Sequence, residues 1–357
     1  MSLVDLAFDR AAVAAWHDDI NSGCLFNAAS VRGVQAARVL FSPRSSVAPQ
    51  LWLQLRIGRR RYMYRKAVMY FVGAPFGWRV RHVNRKAPST TGSKHKASQR
   101  LREAGLPVPQ GRIFTRDEID AALDYFRSLG CEACVKPDRG LMGEAIVPRI
   151  GEVSQFRSAF LSATEKYERI VVEESVAGEV IRYMVVAGKV VAVRLDRPAS
   201  VVGDGVSTIA ELAERRNAET RSANLPVWNE MPLDGEAERI LALDGLSMAS
   251  RLPEGKRAFL RATSNIPTGG DGIGNPEGVH PSYAQSVLKA VAAIPDLALT
   301  AVDVMVADYR QPATLENHWF LDLNSAPGIA NFHFPREGEP SDVAGHIMDW
   351  LLAGGPR

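Results

Sequence analysis

Cysteine is scarce in this chain, with 3 among 357 residues. An odd number in a chain of this length argues against a disulfide framework and favours a reducing compartment, the cytoplasm. The sequence has no run of about 18 apolar residues, so it predicts no membrane-spanning helix. Its first ten residues, which include Asp5, Asp9 and Arg10, lack the charge-then-apolar order of a signal peptide. These absences favour a cytoplasmic globular protein.

Acidic residues are absent between Ile20 and Arg102, a stretch that holds 13 Arg and 4 Lys. The rest of the chain has 26 basic and 40 acidic residues, so the overall charge of +3 conceals a basic N-terminal block. Three interpretations remain open. The block packs against the acidic body or a second subunit of a homodimer, or it attracts an acidic peptide or carrier protein. Nucleic acid is the least favoured partner, because no nucleic-acid-binding motif accompanies the charge.

Three metal-capable side chains stand near the C-terminus. Asp303 lies in the apolar run 299–306, and Asp322 and Asn324 lie in the run 318–324. Because side chains repeat every two residues along a strand, Asp322 and Asn324 share a face. Two adjacent antiparallel strands would bring all three oxygen donors together, and Mg²⁺ prefers such ligands. Each acid alone is more simply an edge or turn residue, so the metal hypothesis depends on the three together.

Lys136 ends an apolar run and precedes a loop that contains Gly140 and Gly143. Glycines let backbone N–H groups approach phosphate oxygens, and the ammonium group neutralises their charge. The pattern is not a Walker A loop, since no Gly-Lys-Ser/Thr follows, and by itself it also fits an ordinary hairpin. Cys131 and Cys134 form a lone CxxC before Lys136 and are predicted to be small core residues.

Another apolar run ends in Glu173 and Glu174, shortly before Gly178. Backbone groups at such a strand end can bind an adenine edge, and a carboxylate can hold ribose hydroxyls. The following stretch, 182–193, predicts a hairpin that turns at Ala187-Gly188.

The order of these segments resembles the ATP-grasp superfamily, most closely the ATP-grasp domains of cyanophycin synthetase and bifunctional glutathione synthetase. The resemblance runs from about Ser93 to about Trp350, and its most distinctive stretch is 197–209 (RPASVVGDGVSTI). The segments 265–270 (NIPTGG) and 322–328 (DLNSAPG) extend it. It implies an α/β (α+β) ATP-grasp fold: an N-terminal α/β pre-grasp domain, then two α+β subdomains with ATP between them.

The resemblance also implies roles for individual residues. The expected nucleotide ligands are Lys94, Lys136, Gly140, Gly143, Glu173, Glu174, Val176 and Glu179. The expected metal ligands are Asp303, Asp322 and Asn324, and the expected catalytic residues are Arg261, Lys136 and Asn265. The expected substrate residues are Arg182, Arg216, Thr268, Gly269, Gly270, Ser325 and Gly328.

Two positions depart from the family pattern. Val180 stands where an acidic residue is expected two positions after Gly178, which leaves Glu179 as the only nearby carboxylate for the ribose. Asp322 replaces a metal ligand that is usually Glu, and its side chain is one methylene shorter.

The implied activity is ATP-dependent joining of a small-molecule carboxylate to an amine, such as an amino acid or small peptide, through an acylphosphate. The implied cofactors are ATP and Mg²⁺, expected as two ions that Mn²⁺ can replace. The alternatives are a ligase for an acidic carrier protein or peptide and an ATP-grasp phosphotransferase. Lys136→Ala and Asn324→Ala are expected to abolish turnover without unfolding the chain.

Three domains are predicted: a basic N-terminal domain over 1–92, a small subdomain over 93–176 and a metal-binding subdomain over 177–357. An amphipathic helix is expected from about Leu3 to Ile20, and Pro88 to Gly92 is expected to be a linker. ATP would lie between the second and third parts, since ligand sites favour domain interfaces.

Overall fold

A computed structural model of the chain describes residue 16 and residues 18–43, 47–73, 79–140, 143–225 and 227–356. The amphipathic helix predicted from about Leu3 to Ile20 lies almost wholly outside these described residues. In the described parts, no helix has the length and apolar character needed to cross a membrane.

The N-terminal part consists of one helix, α1 (Ile20–Val31), and one antiparallel sheet. The strands follow sequence order: β1 (Gln35–Phe41), β2 (Gln50–Ile57), β3 (Arg60–Arg65), β4 (Val68–Gly73) and β5 (Arg79–His82). Alternate residues of β2 and β3 pack against α1 in a core that also includes the C-terminal helix and one end of the central sheet. The N-terminal sheet is therefore anchored on the C-terminal part of the chain.

The middle part begins with two helices, α2 (Pro88–Thr91) and α3 (Lys94–Glu103). A four-stranded sheet follows, in the order β6 (Gly111–Phe114), β9 (Ile170–Glu174), β7 (Ala133–Pro137) and β8 (Val147–Ile150). Helices α4 (Ile119–Leu129) and α5 (Val153–Lys166) pack on this sheet through stacked phenylalanines, among them Phe126 and Phe156.

A six-stranded sheet forms the centre of the C-terminal part. Its order is β16 (His318–Asn324), β15 (Leu299–Val306), β10 (Glu179–Val186), β11 (Lys189–Arg197), β14 (Asp271–Gly274) and β17 (Glu337–Gly338). Only β17 pairs in parallel within this sheet, with β14. Helices α8 (Pro281–Ala292) and α10 (Val343–Leu352) pack on its opposite faces, because α8 contacts Ile181 and Tyr183 and α10 shares a core with Met184.

A smaller lobe projects from this sheet. It contains a two-stranded sheet, β12 (Ser200–Val202) with β13 (Arg257–Phe259), and two helices, α6 (Ile209–Ala223) and α7 (Gly235–Leu243). The distinctive 197–209 stretch supplies the turn and N-cap of α6. The Thr208 hydroxyl accepts a hydrogen bond from the Glu211 amide, and the Glu211 carboxylate accepts one from the Thr208 amide. One further short helix, α9 (Ala330–His333), follows β16.

Several local predictions are confirmed and others are wrong. The hairpin turns at Ala187 and Gly188, which both have positive φ. The predicted linker from Pro88 to Gly92 is instead helix α2, whose Thr91 is buried. Proline suits the first position of a helix, so its presence there favours a helix start as well as a linker. Cys134 is buried as predicted, but Cys131 is exposed, and both thiols are free.

Candidate active site

The register of the central sheet brings the predicted metal residues together. Asp303 of β15 lies directly opposite Asp322 of the antiparallel strand β16. An irregularity follows, because Val304 pairs with Phe320 and one residue of β16 is passed over. The prediction of two adjacent antiparallel strands with Asp303 and Asp322 at one place is therefore confirmed.

Asp303 is also bound to Arg182, its neighbour on β10. The Arg182 Nε–Asp303 Oδ1 and Nη2–Oδ2 distances are both 2.6 Å, a bidentate arrangement. Arg182 Nε lies 3.5 Å from Asp196, which pairs with the fully buried Arg194. Burial opposes the charged form of Arg182, but the two carboxylates outweigh it and raise the pKa of this guanidinium. The predicted substrate residue Arg182 and the predicted metal ligand Asp303 are thus direct partners.

Asp322 forms no hydrogen bond or ion pair with any residue that the structure describes. Burial raises the pKa of this carboxyl, while the nearby positive charge of Lys94 lowers it. Asp303 adds to the rise, and Lys136 opposes it. The predicted phosphate-binding lysines therefore lie within electrostatic range of the predicted metal ligand.

The donor set suits a hard cation. Asp303 and Asp322 supply carboxylate oxygens, and the amide oxygen of Asn324, which accepts a 2.9 Å hydrogen bond from the Ala326 amide, keeps a second lone pair. In the part of the chain that the structure covers, no three His, Cys, Asp or Glu side chains are grouped as metal ligands. A metal at this place would therefore need Asn324 as well as the two acids.

Lys136 and Glu173 form a buried ion pair between β7 and β9. Lys136 Nζ lies 2.5 Å from Glu173 Oε1, and each side chain is 6% exposed. Burial lowers the pKa of Lys136, but the Glu173 carboxylate outweighs burial, and the net direction is upward. The Glu173 carboxylate, predicted at an adenine-binding hinge, is thus the counterion of Lys136. The Glu174 carboxylate accepts a hydrogen bond from the Gln110 amide, so both carboxylates already have protein partners.

Helix α3 begins next to this ion pair. The Asp138 carboxylate accepts hydrogen bonds from the Ser93 hydroxyl at 2.7 Å and the His95 amide at 3.0 Å. Lys94 Nζ donates to the Gly140 carbonyl at 3.3 Å. The Lys94 amide also donates to the Asp138 carbonyl, at 2.9 Å, so the N-terminus of α3, with its partial positive charge, faces the loop after Lys136.

At Gly143 this loop contacts the C-terminal part of the chain. Its φ is +71°, and a Cβ added there would lie 1.7 Å from the Asn265 side-chain nitrogen. Any other residue at this position would displace the loop or Asn265. The structure thus places Gly143, predicted at the phosphates, directly against Asn265, predicted to be catalytic.

Other predicted residues have different surroundings. Arg261 donates to the Leu260 carbonyl and, at 2.8 Å, to Asp234. Glu179 lies on the opposite face of β10 from Arg182, because the odd and even residues of a strand point to opposite sides. The structure therefore does not bring Glu179 to the face that holds Asp303.

The segment after β16 is held by the N-terminal part. Ser325 accepts a hydrogen bond from Thr91 through its hydroxyl and one from the buried Asn84 through its carbonyl. A Cβ at Gly328 would contact Asn21 at 3.6 Å. The remaining predicted residues, Glu174, Val176, Thr268, Gly269 and Gly270, lie at the ends of β9 and in the turn around 266–270.

The sequence did not identify Asp138, which binds the start of α3, or Asn84, which binds the segment after β16. The only available signal for Asp138 is its place two residues after Lys136. The Asn84 side chain donates hydrogen bonds to carbonyls of residues more than 200 positions away, and the local sequence gives no signal for such contacts.

Fold comparison identifies a bifunctional glutathione synthetase from Pasteurella multocida as a structural neighbour. The TM-score is 0.64 at 23% identity, and the alignment covers 96% of this chain and 45% of that one. No family model matches the sequence.

Two kinds of characterised relative match by sequence. A cyanophycin synthetase from Trichormus variabilis is 32% identical over 265 residues, which are 72% of this chain and 29% of that protein. The bifunctional glutathione biosynthesis protein GshAB from Clostridium perfringens is 34% identical over 257 residues, 71% of this chain and 33% of that protein. The chain therefore spans about a third of the length of these relatives.

The mixed helices and sheets of the chain and its similarity to the Pasteurella enzyme identify an ATP-grasp fold. The chain belongs to the ATP-grasp ligase superfamily, and its relatives there are the cyanophycin synthetases and the GshAB proteins.

Proposed function

We propose that the chain is an ADP-forming carboxylate–amine ligase that acts on an amino acid or a small peptide-like substrate. The observation that carries this proposal is the convergence of Lys94, Lys136, Asp303 and Asp322 between the four-stranded and six-stranded sheets. Lys94 and Lys136, which can bind phosphate, lie near Asp322, whose carboxylate has no protein partner among the described residues.

ATP would bind between residues 93–176 and 177–357. Lys94 and Lys136 would neutralise phosphate oxygens, and backbone groups of the Gly140–Gly143 loop would cover them. The backbone near Glu174 and Val176 would bind the adenine. Because the carboxylates of Glu173 and Glu174 already have partners, this hinge would act through its main chain.

Mg²⁺ would be held by Asp303, Asp322 and Asn324, and we expect two ions that Mn²⁺ can replace. Bound Mg²⁺ stabilises the negative charge on the transferred and leaving oxygens. Arg182 would fix the rotamer of Asp303 through its bidentate ion pair, so that the free lone pairs of this carboxylate point away from β10.

In the reaction, a substrate carboxylate oxygen attacks the γ-phosphorus, and the bond to the ADP oxygen breaks. The amine then attacks the acyl carbon of the acylphosphate, phosphate leaves, and the amine proton passes to solvent. The chain's own contribution is to position the two substrates and to neutralise charge through Lys94 and Lys136. Arg261 would contribute near the transferred phosphate, and Asn265 would contribute on the acyl side.

The first test is ADP and phosphate release from Mg-ATP with the twenty amino acids, singly and in pairs, followed by mass analysis of the products. A condensed product with one phosphate released per ADP supports the ligase. A phosphorylated product without free phosphate would show a phosphotransferase instead. Asp322→Asn should abolish release, whereas Asp244→Asn, at the exposed end of α7, should not.

A larger acidic substrate is a second candidate, favoured by the surface of the basic N-terminal part. Arg56, Arg59 and Lys66 are exposed and form no ion pair with an acid in the described residues. Arg32, by contrast, binds Asp349 of α10 at 2.8 Å, so part of the block does pack against the acidic body. Turnover of an acidic peptide that falls steeply with salt would favour the larger substrate.

A further inference from the structure

A pocket opens beside β14, the neighbour of the edge strand β17 in the six-stranded sheet. Its walls combine apolar and basic side chains: Arg216, Trp228, Gly270, Asn331, Phe334 and Arg336 are among the lining residues. The Trp228 indole donates to the Phe334 carbonyl at 3.2 Å, and the Arg336 guanidinium lies over the indole ring, 4.9 Å from its centroid. This wall of the pocket therefore combines an apolar indole with a cationic guanidinium.

Arg216 is held by the protein itself. Its guanidinium donates to the carbonyls of Ser200 and Gly269, at 3.0 and 3.1 Å, and to Asp271. Most of its donors are therefore used, and its role is to fix the floor of the pocket. The cations that can face a ligand are its neighbours.

Three further arginines surround the same carboxylate. Arg336 Nε lies 3.6 Å from Asp271, and Arg197 lies opposite Asp271 in the pairing of β11 with β14. Arg257 donates to the Ser200 hydroxyl at 2.8 Å and pairs with no acid among the residues that the structure describes. Burial lowers the pKa of Arg257, and the positive charge of Arg197 adds to this effect.

Positive charge exceeds negative charge in this cluster. Besides Asp271, the acids that meet the four arginines are Glu337, 3.4 Å from Arg197, and Glu219, 3.6 Å from Arg336. Their side chains are 55% and 66% exposed, so water screens both more strongly than it screens Asp271. Among the described residues, four cations thus face three acids, of which only Asp271 is buried.

The pocket adjoins the proposed reaction centre through one turn. Ile266 and Gly270 line it, and Asn265, at the start of that turn, contacts the Gly143 position on the other side. The Gly270 amide donates to the Asn265 carbonyl at 3.0 Å, which closes the turn. A small molecule bound in the pocket would therefore extend towards the loop proposed to cover the phosphates.

We propose that this arginine-lined pocket binds the non-reacting carboxylate of a substrate whose apolar side group packs against Trp228 and Phe334. Arg336, which lines the pocket, contacts the carboxylate, and Arg257, which binds Ser200 next to Arg216, reaches it from outside the lining. The ligand class is an α-carboxylate beside an aliphatic or aromatic group, as in an apolar amino acid. The inference rests on the proposed ligase function for the fate of the ligand, but its binding does not require turnover.

The test is calorimetric titration of the full chain with two probes, N-acetyl-L-leucine and N-acetyl-L-leucinamide. They differ in the carboxylate alone. We expect the acid to bind at least about 10-fold more tightly than the amide, because a hydrogen bond to a charged group contributes substantially to affinity. Arg257→Gln and Arg336→Gln should each weaken binding of the acid by about 10-fold.

Arg239→Gln is the control, since Arg239 lies on α7 and pairs with Glu236 away from the pocket. It should bind the acid as the wild type does. If Arg336→Gln fails to fold, because it also loses its bond to Thr220, Arg257→Gln still decides the matter. Equal affinity for the two probes, no binding of either, or wild-type affinity in Arg257→Gln would overturn the proposal. ADP release with an amino-acid pair in that event would leave the ligase function standing.

Discussion

The Lys136–Glu173 ion pair predicts a stability effect that the sequence did not suggest. Both side chains are 6% exposed and lie 2.5 Å apart. Replacing Lys136 with Ala leaves a buried carboxylate without its cation, and removing one partner of a buried ion pair typically costs about 3–5 kcal/mol. We therefore expect Lys136→Ala to lose that much free energy of unfolding as well as its activity. The prediction that Lys136→Ala does not unfold the chain is therefore replaced by a prediction that it destabilises the chain.

The measurement is urea unfolding followed by circular dichroism, with the free energy taken from the midpoint and slope. The double variant Lys136→Met/Glu173→Leu removes both charges at similar volume and should regain most of the lost stability. Its ADP release should stay about 10²–10³-fold below that of the wild type, because the charge that would neutralise phosphate is still missing.

The matched control is Lys166→Ala. Lys166 also forms an ion pair, with Glu144 at 3.0 Å, but its side chain is 68% exposed. Its unfolding midpoint should equal that of the wild type, because solvent screens exposed pairs. If Lys136→Ala unfolds at the same urea concentration as Lys166→Ala, the ion pair does not stabilise the fold and the reasoning is refuted.

Three further predictions concern single residues. Gly143→Ala should abolish ADP release, because the new Cβ would lie 1.7 Å from the Asn265 side chain. Its control is Gly130→Ala, where φ is a similar +64° but nothing lies within 4 Å of the new Cβ. This variant should lose only about 1 kcal/mol of stability and keep its activity. Burial lowers the pKa of His333 to about 4, below its unfolded value, so the folded state should lose about 3 kcal/mol as pH falls from about 6.5 to 4. In urea titrations against pH, His333→Gln should flatten this dependence, and a flat wild-type profile or an equal effect of the exposed His346→Gln would contradict it. Asn84→Ala should destabilise the chain by about 2–4 kcal/mol in urea unfolding, because its amide makes four hydrogen bonds to buried or partly buried backbone groups; a loss below about 1 kcal/mol would contradict this.

The parts of the site that the sequence predicted well are those fixed by strand pairing. Asp303 and Asp322 stand on strands that are neighbours along the chain, so a short connection and a period of two suffice to oppose them. The hairpin at Ala187-Gly188 was predictable for the same reason. In these cases the contact partners lie within about 20 positions of each other in the sequence, and local rules determine the geometry.

Side-chain partners were not predictable, even where the residues were identified. The resemblance implies different roles for Arg182 and Asp303, which are 121 positions apart, and only the completed sheet makes them neighbours. Glu173 and Lys136 were both assigned to the nucleotide, but the pairing of β7 with β9 turns one into the counterion of the other. Alternation along β10 puts Glu179 on the face opposite Arg182, which can be stated only when the pairing of the strand is known.

The arginine-lined pocket shows why specificity lies beyond sequence reasoning here. The two arginines that line it come from α6 and from the segment before β17, and two more, on β11 and β13, lie near the same Asp271 carboxylate of β14. No local pattern marks Arg257 or Arg336 among the many arginines of the chain. Reaction chemistry depends on the paired strands at the centre of the sheet, whereas substrate choice depends on contacts at its edge. Variants of Arg257 and Arg336 should therefore change which substrate binds, whereas variants of Asp322 and Lys136 should change whether any substrate reacts.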